Sequence, residues 1–99
     1  MSASEKTATV GGKYLMYKDR PLVREGDTIC YGDMTEKYIL LMDIMSYKEE
    51  SGVRVPKDII VSVVESDDVT KCVFQATKQG LYEAFGYGLI WLEQELSKQ

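Results

Sequence analysis

The stretch Lys37-Tyr38-Ile39-Leu40-Leu41-Met42-Asp43-Ile44-Met45-Ser46-Tyr47 decides how the chain folds. It is the longest apolar run, and only Lys37 and Asp43 in it carry charge. As a strand it points Tyr38, Leu40, Met42, Ile44 and Ser46 one way and Ile39, Leu41, Asp43, Met45 and Tyr47 the other. A helix has arguments too. Asp33 would be its N-cap, Glu36 would complete a capping box, and Leu, Met, Glu and Lys are good helix formers. That helix would be apolar all round, which a chain of this size can hardly bury. The run is therefore read as a long central β-strand that needs cover on both faces.

Working outward from it, the upstream chain reads as short strands joined by tight turns. Lys13–Tyr17 and Pro21–Arg24 flank the turn Lys18-Asp19-Arg20, and Thr28–Tyr31 follows Glu25-Gly26-Asp27. Gly32-Asp33 leads into the central run. Connections this short pair neighbours antiparallel. Residues 1–11 are small, polar and without periodicity, and read as a flexible tail. Residues 12–98 then make a single domain.

Downstream, Lys48–Gly52 reads as a polar loop, Val53-Arg54-Val55 as a little extended structure, and Pro56 as a break. Asp58–Glu65 is dense in β-branched residues and is the most secure strand, paired with the central run. Ser66-Asp67-Asp68 signals a turn, and Lys71–Thr77 reads as a last strand or a lead-in to a helix. Gly80–Leu96 is helical: Leu81, Phe85, Gly88, Leu92 and Leu96 share a face, with Ala84 and Leu89 beside it. Gly86 and Gly88 permit either close packing on the sheet or room for a ligand. The fold expected is α+β, an antiparallel meander of five to six strands with one C-terminal helix on one face.

Composition bounds the function. A chain of 99 residues with 44% hydrophobic and 28% charged residues has one core. A net charge of −4 argues against nucleic acid and anionic membranes as partners. No window approaches a membrane span, and the N-terminus lacks a signal-peptide core, so a cytoplasmic location is expected. Cys30 and Cys72 both sit in apolar settings and read as small buried hydrophobes, with no C-x-x-C to suggest redox work.

The chain has no His, no P-loop, no G-x-G-x-x-G and no G-x-S-x-G. No catalytic residue, cofactor or metal site is expected. Asp33 and Asp43 are the carboxylates best placed for chemistry, but each reads first as a paired structural Asp, Asp43 with Lys37 or Arg54. Asp67-Asp68 with Glu65 reads as an acidic turn, without EF-hand spacing. Seven Tyr are more than such a core requires; Tyr14, Tyr17, Tyr31, Tyr38 and Tyr47 could share a sheet region, and Tyr is enriched at interfaces.

The segments Gly12–Tyr17, Tyr31-Gly32-Asp33-Met34, Gly80–Ala84 and Ile90–Glu93 give the chain a resemblance to a family of small bacterial proteins without an assigned function. The resemblance carries no catalytic motif and implies a stand-alone domain. The expectation is an interaction or assembly protein, a homodimer that buries the sheet face the helix leaves bare, with a possible further protein partner. Tyr38, Met42, Met45, Tyr47, Tyr87, Gly88 and Trp91 are its candidate interface or pocket residues. The alternative is a small-molecule-binding or regulatory domain with its pocket between sheet and helix, near Gly86, Tyr87 and Gly88.

Overall fold

A computed structural model describes residues 13–98, except the side chains of Lys13 and Tyr14. The expected tail at 1–11 lies outside the described residues. The elements are β1 (Lys13–Tyr17), β2 (Arg20–Glu25), β3 (Thr28–Tyr31), β4 (Tyr38–Ile44), β5 (Tyr47–Glu50), β6 (Val53–Pro56), β7 (Asp58–Glu65), β8 (Asp68–Gln79) and α1 (Leu81–Ser97). Six strands form one antiparallel sheet in the order β1-β2-β3-β4-β7-β8, and β5 and β6 pair separately. The fold is α+β, as the sequence pattern implies.

Turn chemistry sets the register. Lys18 and Asp19 both adopt positive φ, as a two-residue type I′ connection requires, so Tyr17 faces Arg20 across the first hairpin. Gly32 sits at φ 142, and a Cβ there would meet Ile39 Cγ2 at 2.8 Å, so no other residue fits the corner before β4. Ser66 closes the other side of that corner, donating its amide to Lys37 O and its hydroxyl to Glu36 O.

The core lies between the sheet and α1. β4 contributes Leu40, Met42 and Ile44, β7 contributes Ile59, Val61 and Val63, β3 contributes Ile29 and Tyr31, and the helix contributes Ala84 and Leu92. The central strand stops at Ile44, shorter than the sequence run suggests. Beyond it the Met45 amide still donates to Asp58 O and the Ser46 carbonyl accepts from the Lys57 amide. Ser46 also donates its hydroxyl to Asp58 Oδ2 at 2.8 Å, and Tyr47 turns away into β5. Met45 lies beyond the strand and is 61% exposed.

Residues 47–56 hold more structure than the polar loop read at Lys48–Gly52, and include a strand where the sequence read a little extended structure at Val53-Arg54-Val55. They are a hairpin with Tyr47 opposite Pro56 and a turn at Ser51-Gly52, both at positive φ. Its residues Lys48–Arg54 are exposed, so no burial alternation marks the strands. β8 is also longer than Lys71–Thr77. It runs for 12 residues and carries an irregularity opposite Val63, Val64 and Glu65.

The helix seam is Ala84, Gly88 and Leu92, flanked by half-buried Leu81, Phe85, Leu89, Trp91 and Leu96. Gly80 precedes it, with no side-chain cap. The two helical glycines differ. A Cβ on Gly88 would meet both Leu40 methyls at 2.8 Å, whereas a Cβ on Gly86 would meet nothing. Gly88 is therefore the close-packing position.

Candidate functional site

α1 packs mainly over β4, β7 and β8, reaches β3 through Phe85 on Tyr31, and leaves much of the same face of β1 and β2 uncovered. Two hollows run along that margin. One, of about 250 Å³, is lined by Leu22, Ile29, Met42, Leu81, Tyr82 and Phe85. The other, of about 430 Å³, has Tyr17, Tyr82, Phe85, Gly86, Leu89 and Ile90 among its walls. They meet at Tyr82 and Phe85, and among the described residues Glu83 is the one charged residue in either wall. Together they form an apolar groove beside the N-terminal half of the helix. Leu15 is 62% exposed, Ile90 54% and Tyr82 95%, so large apolar groups here meet water.

Aromatic packing builds the groove floor. Phe85 meets Tyr31 edge-on with centroids 5.2 Å apart and Tyr17 at 5.3 Å. Tyr31 is fully buried, and its hydroxyl donates to Tyr17 O at 2.8 Å. Burial pushes its phenol up from the ordinary value, and the neighbouring Arg20 only partly offsets this.

Arg20 ties three elements at this end of the sheet. Its Nε and Nη2 donate to the two Glu36 carboxylate oxygens at 2.7 and 3.1 Å, and Nη1 donates to Glu93 Oε2 at 3.0 Å. The fork to Glu36 is the main reason its guanidinium pKa lies above the ordinary value. β2, the loop before β4 and the second half of α1 are thereby joined.

The candidate residues from the sequence do not form one site. Met42 is 1% exposed and lines the floor of the smaller hollow, and Gly88 is buried on the underside of α1 against Leu40, so neither is exposed for an interface. Tyr38 is half-buried on the sheet, with the Lys37 ammonium 5.6 Å from its ring centre. Tyr47 belongs to the β5–β6 hairpin, where its hydroxyl donates to Asp27, accepts from Arg24 at 3.2 Å and carries Arg54 over its ring. The bond to Asp27 raises the Tyr47 phenol pKa. Tyr87 and Trp91 stand on the β8 flank of the helix, where Trp91 stacks on Phe74 with centroids 4.0 Å apart and Lys78 lies over Tyr87 at 4.0 Å, and Tyr87 also lines the larger hollow. Tyr14's side chain lies outside the described residues. Sequence reasoning missed Tyr17, Tyr82, Phe85 and Ile90 as a group, because β1 and α1 are far apart in the chain and only the fold brings them together.

The carboxylates are structural. Asp33 accepts from the Thr35 amide at 2.9 Å and hydroxyl at 2.7 Å, which lowers its pKa. Asp43 accepts from Thr28 Oγ1 at 2.8 Å, not from Lys37 or Arg54 as the sequence suggested. Asp68 accepts from the Thr70 amide and hydroxyl at the start of β8. Among the described residues no three His, Cys, Asp or Glu side chains gather to hold a metal.

The thiols also depart from the sequence reading. Cys72 is exposed, with its Sγ 3.1 Å from Phe74 O, because it sits where β8 departs from regular pairing. Cys30 is half-buried, and burial raises its pKa. No helix of the described residues is long and apolar enough to cross a membrane. No family model matches the chain, and no curated protein or solved structure shows significant similarity to it.

Proposed function

We propose that the chain is a non-catalytic interaction and assembly protein that works as a homodimer in the cytoplasm, without nucleic acid as a partner. The observation that carries the interaction reading is the open apolar groove walled by Tyr17, Tyr82, Phe85 and Ile90, and the long edge strand β8, with no strand beyond it among the described residues, supports the homodimer. Aromatic side chains that are both rigid and exposed are what protein interfaces enrich. Asp33 and Asp43, the carboxylates the sequence singled out, are engaged in a turn and a cross-strand bond. Sedimentation equilibrium of the full chain at micromolar concentration is expected to return twice the 11.2 kDa chain mass. A monomer mass throughout would overturn the homodimer.

The smaller hollow favours a second reading, a small-molecule-binding domain. Its walls, Leu22, Ile29, Met42, Leu81 and Phe85, are apolar, which suits an apolar ligand rather than a charged metabolite. A fluorescent apolar dye that binds the wild type and is lost on Leu22→Trp would support it. Binding unaffected by that filling would remove it.

A further inference from the structure

We infer that the homodimer forms by antiparallel pairing of β8 with the β8 of a second copy, which continues the sheet from six strands to twelve. The inference rests on the homodimer reading and specifies its surface. Among the described residues the sheet ends at β8, with no strand beyond it. This edge is 12 residues long, about twice the usual strand. Long open edges are templates for pairing unless the chain blunts them.

The ladder shows which groups are open. Gly80 donates its amide to Lys57 O at 2.7 Å, and Met45 donates to Asp58 O at 2.7 Å. Alternation from these two bonds turns Ile59, Val61 and Val63 toward β8, so their partners Lys78, Ala76 and Phe74 bond inward. Gln75, Thr77 and Gln79 therefore aim their amides and carbonyls outward. The irregular pairing of β8 is confined to its beginning, and the run from Phe74 to Gln79 is regular and free of Pro and Gly.

The edge is complementary to itself. A two-fold axis at Thr77 sets Thr77 against the partner's Thr77 and Gln75 against the partner's Gln79. All three outward residues then pair, where a shift by one bonding pair in either direction would pair fewer within the regular run. Thr–Thr pairs are favourable in antiparallel sheets. Lys78 lies opposite the partner's Ala76, so no like charges face one another, and its ammonium is already folded over Tyr87 and Trp91. On the helix side the same axis brings Tyr87 and Phe74 of the two copies together; these rings are 44% and 38% exposed in the single chain. Most of the apolar groove lies toward the other end of the sheet, beside Tyr17, Leu22 and Phe85, and stays open in both copies; Tyr87 alone is shared between its wall and the dimer contact.

Thr77→Pro is the decisive variant. It removes an outward amide and leaves every inward bond in place. In sedimentation equilibrium the dimer dissociation constant is expected to rise about ten- to hundredfold, with the Trp91 near-UV circular dichroism unchanged. Thr77→Lys keeps the backbone, sets like charges face to face across the axis, and is expected to weaken the dimer in the same direction. Hydrogen exchange of the wild type at dimeric concentration is expected to protect the Gln75, Thr77 and Gln79 amides, and dilution to release them. A wild-type dimer that both variants leave intact, with those amides exchanging freely, would overturn the edge pairing while the homodimer stands. A monomeric wild type would overturn both. Protection of the same amides only on adding an extended peptide would assign the edge to a foreign strand instead.

Discussion

Tyr31 has a fully buried ring with a hydroxyl that reaches a backbone carbonyl, and this combination makes it pH-sensitive. Burial raises its folded pKa, so its contribution is complete below the ordinary phenol range and is lost as pH rises through the folded value. Above about pH 10 the unfolded phenol ionises while the folded one resists, and stability falls. Tyr31→Phe is expected to cost about 1 kcal/mol at neutral pH through the lost bond to Tyr17 O, and to flatten the alkaline decline. Urea unfolding at about pH 7 and pH 11 checks both parts; an alkaline limb as steep as that of the wild type would contradict the second. The two cysteines separate in the same terms. Cys72 is expected to react with a disulfide reagent at once, and Cys30, shielded and with a raised pKa, only slowly. Equal rates would show that β3 opens readily. None of this is readable from local sequence, because Ile29-Cys30-Tyr31 and Cys72-Val73-Phe74 look alike until one strand is placed inside the sheet and the other at its edge.

Strands and the helix carry the next set of consequences. Tyr38–Ile44 and Asp58–Glu65 are legible in the sequence because they are buried on both sides, and composition alone then marks a strand. The helix is legible because a 3.6-residue period places Ala84, Gly88 and Leu92 in one line. The β5–β6 hairpin is not, since Lys48–Arg54 is exposed and burial leaves no alternation there. The full length of β8 is hidden for the same reason. The groove is legible only in its residue types, the surplus of Tyr, because its walls meet through tertiary structure. Four substitutions test the helix and its seam. Leu92→Ala is expected to cost about 2–5 kcal/mol, and the half-buried Phe85→Ala about 2 kcal/mol, in urea unfolding. Gly88→Ala drives a methyl into Leu40 and Val61 and is expected to destabilise by about 1–3 kcal/mol. Gly86→Ala has open space and is expected to stabilise by up to about 1 kcal/mol. A Gly88→Ala protein as stable as the wild type would mean that the helix rides higher above the sheet than the seam requires.

At the scale of the whole molecule, the proposed pairing through β8 uses one edge of the sheet, and most of the groove proposed as the binding surface lies toward the other, with Tyr87 between them. A dimer would then present two grooves on a rigid frame, and a partner with two matching segments would gain avidity without any new contact. The β5–β6 hairpin belongs to neither end. Met45 donates to Asp58 O at 2.7 Å and Lys57 donates to Ser46 O at 2.8 Å, so the chain enters and leaves the hairpin at the same point of the ladder. Replacing residues 47–56 with a two-residue Asn-Gly turn is expected to leave the six-stranded sheet intact and cost about 1–3 kcal/mol, mainly for the Tyr47 bonds to Asp27 and Arg24. Circular dichroism and urea unfolding would show it, and loss of cooperative unfolding would mean the hairpin is needed to seal the core. If the trimmed chain folds, the point between Ser46 and Lys57 is a socket: foreign peptide could be spliced there, and the sheet would carry it as a handle carries a tool.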